Sequence, residues 1–484
     1  MYKLLFYAIY KLLVLVIQIG DRKKTMPTVQ KERVRIAACA GYSGDRIDPA
    51  AYVLKHGNVD YGVFECLAER TIALAVQRLR EDPQSGYDPL LRQRMEAVLP
   101  ICKRKGIKLI TNMGAANPLE AARVVRTVAN ACNAGNLVVK VVVGDNVIGN
   151  ISRYMDAPLM EDQNPGKPEQ RVNGLSGVIS ANAYLGAEGI IKALDKGADV
   201  VITGRVADPS LFLAPLMFEL GWRSDDYPML GKGLVAGHLL ECGAQVSGGY
   251  FDDGSSRKHV PDLWNTGFPI AEVGADGKIV ITKAKGTGGM ITRETCTEQL
   301  LYEIHDPETY ITPDAVADFS HVNLTELAPN QISVTGATAK ERTDTLKVSI
   351  GYIDCFIGEG EISYSGTNAI ERALLAKDIV TRRLKKLNVP IVEGPRAEIN
   401  GTDAAELHKN PLLLSSIDRL LRGARLRISA RTKTADAARR IGEEIESLYT
   451  NGPAGGGGAR KSVEETVSIA SILIPRSDVK IEVE

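Results

Sequence analysis

Five short apolar runs, each followed by a polar or glycine-containing turn and then a helical pattern, constrain this chain more than any other feature. They are "VRIAACA" (34–40), "VDYGVFE" (59–65), "IKLITNM" (107–113), "LVVKVVVG" (137–144) and "ADVVITG" (198–204). Their apolar character is continuous rather than alternating, which fits strands buried on both faces, as in a parallel sheet. The intervening "NPLEAARVVRTVANACNAG" suits a helix with Asn117 as N-cap, Pro118 at the first helical position and Gly135 as the stop. Residues 34–265 therefore read as a parallel-sheet α/β domain.

After about residue 265 the texture changes. "DGKIVITKA", "NQISVTGAT" and "LKVSIGYIDCFIGEGEISYSG" are strand-like with turn residues between them, which implies antiparallel pairing. A strong helix, "AIERALLAKDIVTRRLKKL", leads to the strand "PRAEIN". Then "ARLRISART" reads as a strand, "ADAARRIGEEIESLYTN" as a helix and "ETVSIASILIPR" as a strand. These successive β-α-β blocks suggest that residues 266–484 form an α+β domain of the split β-α-β, ferredoxin-like kind.

At 484 residues the chain can bury a large core without staples. Lys plus Arg and Asp plus Glu both total 59, so no global field draws it to nucleic acid. Its seven cysteines are odd in number and lack a CxxC pair, which points to a reducing, cytoplasmic setting. Six histidines supply no HxxxH or HExxH, so no metal site is expected. Residues 1–33 form an apolar N-terminal extension. Within it Leu4 to Ile19 is apolar apart from Lys11 and Gln18, and reads either as a membrane anchor or as part of a gene-model extension ahead of Met26.

In parallel α/β sheets ligands gather at the carboxyl ends of strands, so the turns carry the candidate chemistry. The first, "GYSGDRIDP", offers Gly41 and Gly44 for a tight, anion-facing backbone with Asp45 and Arg46 beside it, or merely a turn with a surface ion pair. After the second run, Glu65 at the strand end and Glu69 four residues on suit acid/base work, unless Glu69 only pairs on a helix surface. In "TNMGAANP", Asn112 and Asn117 flank Gly114. A carboxamide there can meet a carbonyl or hydroxyl, though Asn117 also suits a cap. In "TGRVADP", Arg205 and Asp208 follow Gly204. The guanidinium fork suits a carboxylate or phosphate, and the alternative is an Asp208 cap paired with Arg205.

Further on, "LLECGAQVSGGYFDD" places Glu241 and Cys242 ahead of Gly248 and Gly249, with His238 at i−4 from Cys242 and Ser247 nearby. A cysteine nucleophile would need a base or a lowered pKa. "KGTGGMITRETCTEQL" gives another glycine turn, with Gly288 and Gly289, before a helix start that can bind an anion, or an ordinary tight turn. Near the C-terminus, "GPAGGGGARK" runs through Gly455, Gly456, Gly457 and Gly458 to Arg460 and Lys461. It reads either as a backbone cradle for an anion or as a tight helix-to-strand connection.

Taken together, "CAGYSGDR", "VDYGVFECLAERT", "TNMGAANP", "ADVVITGRVADPSLFLAPLMFELGW", "HLLECGAQVSGGYF", "GTGGMITRETCTEQLLYEIHDPETYITPDAVADF" and "GPAGGGGARKSVEE" resemble the acyclic terpene utilisation AtuA family, over about Val34 to Pro475. The family is named for a bacterial gene cluster that degrades citronellol and geraniol through acyl-CoA intermediates, beside a biotin-dependent carboxylase and a hydratase. The resemblance implies a role near branched acyl-CoA or hydroxy-acid breakdown and carries over no catalytic residue. Some members end in an extra small ferredoxin-like domain, so a separate small partner protein is one implied partner.

Three functions remain open on the sequence. The first is a lyase or hydratase acting on a branched or hydroxylated acyl-CoA or a small carboxylic acid. Glu65 would be its general acid or base, Arg205 its carboxylate clamp and Asn112 its carbonyl holder, with Asp208 alongside and glycine turns for phosphate or oxyanion. The second is a hydrolase using Cys242 or Ser247. The third is a non-catalytic ligand-binding or scaffold subunit of a catabolic complex. No cofactor is expected beyond the CoA moiety of a substrate, and a homo-oligomer is compatible with the sequence.

Overall fold

The computed structural model describes residues 30–160, 170–255, 258–399, 402–403 and 423–484; the apolar stretch Leu4 to Ile19 lies outside the described residues. The first half alternates strand and helix. β1 (Arg33–Ala40), α1 (Asp48–His56), β2 (Tyr61–Phe64), α2 (Glu69–Glu81), α3 (Leu91–Lys105), β3 (Lys108–Thr111), α4 (Pro118–Ala131) and β4 (Val139–Val143) come first. β5 (Val178–Ala183), α5 (Glu188–Asp195), β6 (Val200–Thr203), α6 (Asp208–Leu220) and α7 (Tyr227–Glu241) follow.

β1, β2, β3, β6 and β4 lie side by side in that order and pair in parallel. Their side chains feed a core on each face. One contains Ile36, Val63, Ile110 and Val201 with Leu211, Leu213 and Leu234 of α6 and α7. The other contains Phe64, Leu109 and Ile202 with Leu54, Leu99 and Val125 of α1, α3 and α4. Two-sided burial explains why these runs are apolar at every position. It also explains why α6 and α7 are apolar around most of their circumference.

The change of texture near residue 265 is a change of pairing within this same sheet. β7 (Pro269–Gly274) runs antiparallel against β1, and β8 (Ile279–Lys283) against β7. α8 (Arg293–Leu301), β9 (Tyr310–Ile311) and β10 (Val316–Asp318) come next. Then β11 (Asn323–Ala328) and β12 (Gln331–Thr335) complete that edge, while β13 (Thr338–Lys340) joins β10 and β9 in a small separate sheet.

The remaining elements build another sheet: β14 (Thr345–Ser365), α9 (Ala369–Lys386), β15 (Ile391–Ile399), β16 (Thr402–Asp403), β17 (Gly423–Thr432), α10 (Ala435–Glu446), α11 (Leu448–Asn451) and β18 (Gly457–Pro475). Its strands stand in the order β16-β15-β17-β14-β18, all antiparallel, so β14-α9-β15 and β17-α10-β18 interleave. Buried residues of α9 and α10 cover one face.

Apart from its final glycine, "LKVSIGYIDCFIGEGEISYSG" lies within one 21-residue strand, whose pairing with β18 shifts register at Asp354 and again at Ile362. That length lets β14 serve both halves of the chain. Its far half pairs with β17, while Val348 to Ile350 pair with Ala183 to Ala181 of β5. β19 (Glu482–Val483) returns to pair with β4. The near end of β14 thereby comes to lie over the carboxyl ends of the parallel strands.

Candidate active site

A cavity of about 590 Å³ opens where the turns after β1, β2 and β6, the C-terminus of α7, the loop after α8 and the near ends of β14 and β18 converge. Glu65, Arg205, Asp208, Glu241, Cys242 and Gly41 all line it. Strand-end turns and the C-terminus of α7 thus bring five of the six candidate catalytic residues together, although Glu65 and Cys242 are 177 positions apart in sequence.

Glu65 ends β2 and is 7% exposed. Its Oε1 accepts the Leu67 N–H at 2.8 Å and the Asn112 Nδ2 at 3.0 Å. Burial pushes its carboxyl up to about 8, with the Asp208 carboxylate adding to the rise; the Leu67 N–H, Arg205 and Asn112 oppose it. At neutral pH most of Glu65 therefore carries its proton. Asn112 is the sixth candidate; it is fully buried outside the lining, its Nδ2 donates to Glu65, and its Oδ1 accepts the Cys66 N–H at 2.7 Å. Instead of receiving a substrate carbonyl, it holds Glu65 in place.

Helix α2 begins only at Glu69, so Glu65 and Glu69 do not share a helical face. They still line one cavity. Glu69 takes the opposite charge state. Burial pushes its carboxyl up, but Arg205, the Tyr184 hydroxyl and Lys347 outweigh that and bring it down to about 2. Tyr184 donates to Glu69, and the Lys347 ammonium lies 3.2 Å from the same carboxylate.

Arg205 is 2% exposed and remains a cation, because the carboxylates and Tyr184 around it outweigh the cost of burial. Its guanidinium stacks on the Tyr184 ring at 4.1 Å, donates to the Leu67 carbonyl and donates to Asp208 Oδ1 at 2.9 Å. Its Nε is buried without a partner. Asp208 is the first residue of α6, with Ala207 at the cap position. Burial pushes its carboxyl up, against Arg205, and Glu69 adds to the rise.

Across the cavity, Glu241 Oε1 stands 2.8 Å from His238 Nδ1, one helical turn back on α7. The imidazole packs against Tyr310 and Phe319, with ring centroids 5.5 and 5.8 Å away. Burial lowers the His238 pKa, but Glu241 more than restores it, and the net direction is upward. Burial pushes Glu241 up against the pull of His238. Glu241 Oε2 faces no partner. His238 serves Glu241 and not Cys242, whose thiol is pushed up by burial and by the neighbouring Glu241. A Cys242 thiolate is thus disfavoured. Ser247 is fully buried, and its hydroxyl has no base beside it.

Several of the glycine turns meet other parts of the protein itself. Gly41 is small because a Cβ there would lie 2.1 Å from the Cys242 carbonyl carbon, so the β1 turn packs directly on the end of α7. The Gly41 N–H donates to Asp45 Oδ2 at 3.1 Å, and the Arg46 guanidinium donates to the Trp264 carbonyl at 2.6 Å. The carbonyls of Tyr42, Ser43 and Asp45 all converge on the fully buried Arg94, at 3.2, 2.8 and 3.2 Å. Carbonyls aimed at an internal cation are the reverse of a phosphate cradle. Gly44 packs against the Tyr42 ring, Gly114 against the Thr203 carbonyl, and Gly204 against the Asp145 carboxylate.

Asn117 caps α4, accepting the Glu120 N–H at 3.4 Å, and donates to the carbonyls of Pro83 and Ser85. The N–H groups of Gly248, Gly249, Gly288 and Gly289 donate to the carbonyls of Gln245, Ala244, Asn265 and Pro261. In "GPAGGGGARK", β18 begins at Gly457, and Arg372 donates to the preceding Ala454 carbonyl at 2.7 Å. Lys461 pairs with Glu446, and Arg460 is exposed. The run lies at the end of β18 opposite to Leu473, the residue of that strand that lines the cavity. Sixteen residues of strand at ~3.3 Å each separate them by roughly 50 Å along the chain.

Sequence reasoning did not single out Tyr184, Lys347, Tyr302, Glu303 or Tyr310, which also line the cavity. Tyr184 follows β5 and Lys347 lies on β14, so they reach the site only through the pairing of those strands. Glu303 has left-handed backbone (φ 59°) in the loop after α8, a conformation uncommon for a side chain of its size. Among the described residues no group of three or more His, Cys, Asp or Glu side chains is arranged to hold a metal ion. No helix among them is long and apolar enough to cross a membrane.

A family model described as the acyclic terpene utilisation family protein AtuA matches residues 34–484. No curated protein and no solved structure matches the chain.

Proposed function

Since the chain belongs to the acyclic terpene utilisation AtuA family, we propose that it is a lyase or hydratase of that catabolism, acting on a branched or hydroxylated acyl-CoA or small carboxylic acid. The observation that carries this reading is the juxtaposition, in one cavity, of a protonated Glu65 and a proton-sharing His238–Glu241 pair. Two acid/base groups of opposite readiness are what addition or removal of water beside a carbonyl requires.

In the dehydrating direction, Glu241, backed by His238, takes a proton from the carbon next to the substrate carbonyl. Glu65 gives its proton to the departing hydroxyl, which leaves as water. Glu65 ends as a carboxylate and the pair ends one proton richer, so the charge is conserved. Hydration is the reverse. Arg205 and Lys347, paired with Asp208 and Glu69, are the cavity's basic side chains and would meet a substrate carboxylate or a developing enolate on that side.

Replacement of Glu65 by Gln keeps size and hydrogen-bonding capacity but removes the transferable proton. It should lower turnover by about 100-fold or more while leaving ligand-induced thermal stabilisation intact. Unchanged turnover would sink the assignment. A raised Cys242 thiol and an isolated Ser247 give the hydrolase reading no comparable support.

A further inference from the structure

β18 is the outermost strand of its sheet. β14 pairs along one side of it, and among the described residues no strand pairs along the other. Side chains of a strand alternate between faces, yet Arg460, Lys461, Ser462, Val463 and Glu464 are all exposed. α10 touches the strand at Lys461, and α2 reaches Glu464 and Glu465 through Arg70 and Gln77, yet Lys461 and Glu464 stay exposed and no strand among the described residues covers the outer edge. The stretch is also regular, with pairing to β14 unbroken from Arg460 opposite Glu361 to Thr466 opposite Cys355.

Exposed edges are usually blunted by a proline, a bulge or scattered charge, because their unpaired N–H and C=O groups invite another strand. Between Arg460 and Thr466 there is neither proline nor bulge. The charges are sorted rather than scattered, with Arg460 and Lys461 at one end and Glu464 and Glu465 at the other. Parallel pairing of two copies would set like charges opposite each other, whereas antiparallel pairing sets opposite charges together. A two-fold axis at Ser462, the centre of the exposed window, places Arg460 opposite Glu464 of the second copy and Glu464 opposite Arg460 of the second copy.

The groups involved are largely uncommitted. Arg460 has no partner among the described residues. Glu464 has only Arg70, at 3.8 Å, between side chains 66% and 68% exposed. Apolar surface lies alongside: Val463 is 39% exposed, and Tyr449, whose hydroxyl accepts the Ala459 N–H, is 53% exposed. We infer that the chain forms a two-fold dimer by antiparallel pairing of Arg460–Glu464 with the same segment of a second copy, joining two sheets into one. Such a contact is isologous, so it closes at two copies instead of growing into a fibre.

Sedimentation equilibrium of the full chain over about 1 to 100 µM tests this, since a dimer of identical chains dissociates on dilution. A dimer is expected, weakened by added salt. Arg460→Glu should weaken it by about tenfold or more, and the swap Arg460→Glu with Glu464→Arg should restore it. Ser462→Cys, on the axis, should give a disulfide-linked dimer under mild oxidation, while Ser468→Cys should not. Thermal melts that match the parent chain's show that the variants fold. A monomer at every concentration, which is also the result expected if another protein's strand were the occupant, overturns the inference. So does a dimer that Arg460→Glu leaves intact.

Discussion

His238 Nδ1 lies 2.8 Å from Glu241 Oε1 while its Nε2 faces the Leu300 carbonyl at 3.3 Å, so both ring nitrogens look at oxygen. Nε2 must donate to that carbonyl. Nδ1 then either donates to a Glu241 carboxylate or accepts from its acid form, and the pair holds a shared proton in each case. Glu241→Gln supplies an amide that can still bond to Nδ1 but can take no proton. Turnover should fall by about 100-fold or more with the fold intact. The rate–pH profile should lose the limb that depends on the pair, and steady-state kinetics across pH 5 to 9 check this.

Glu65 links the cavity to stability. Its carboxyl is raised from 4.5 to about 8 in the folded chain. Below pH 4.5 it is protonated in both states, and its burial is least costly. As pH rises, the unfolded chain ionises first and the folded chain resists, so stability falls until pH passes about 8. Glu69 works the other way, losing its contribution only below pH 4.5. Urea unfolding between pH 5 and 8 therefore isolates the raised groups. The parent chain should lose up to a few kcal/mol across that window. Glu65→Gln should lose distinctly less.

The parts of the site that were legible in the sequence share one property: they are local. A strand end followed by a turn can be read from a few residues, and the rule that ligands gather there selected Glu65, Arg205 and Asp208, while Glu241 came from the local motif "LLECGAQVSGGYFDD" at a helix end. Lys347 and Tyr184 give no such signal, because the contact that brings them in is the pairing of β14 with β5. The antiparallel strands after residue 265 were legible as strands. Their membership of the first sheet was not, since alternation reports burial and not the identity of the neighbour. Composition also identified the glycine turns, but it cannot say whether N–H groups or carbonyls face inward.

Arg94 is such a hidden determinant. In the first turn of α3 it looks like a solvated helix residue, yet it is fully buried and ties the Tyr42, Ser43 and Asp45 carbonyls to Asp88. Arg94→Met fills similar volume but leaves the Asp88 carboxylate, still held by the Ser43 hydroxyl and the Leu90 N–H, without its buried cation, and takes the guanidinium away from the Ser43 and Asp45 carbonyls. The expected cost is about 3–5 kcal/mol, read as a lower thermal midpoint. Lysine should rescue little, because one ammonium cannot reproduce the guanidinium fork. The β1 turn also carries Tyr42 and Gly41 into the cavity, so ligand affinity should fall along with stability.

Two glycines separate the role of small size from that of an anion cradle. At Gly457 a Cβ would meet no atom within 4 Å, and the backbone angle is one that any residue adopts. Gly457→Ala should change stability by less than about 1 kcal/mol, with a gain where the unfolded chain loses freedom. If the run bound an anion needed for activity, that substitution would weaken ligand binding; roughly 50 Å of strand away from the cavity, it should leave binding unchanged. Gly41→Ala drives a methyl to 2.1 Å from backbone at Cys242. Neither the β1 turn nor the end of α7 can yield without moving Glu241, so both the melting temperature and the ligand affinity should drop. Calorimetric melts and titrations of the two variants, run side by side, make the comparison. Equal losses of binding in both would restore the cradle, and a loss confined to Gly41→Ala confirms that glycine matters here where two elements touch.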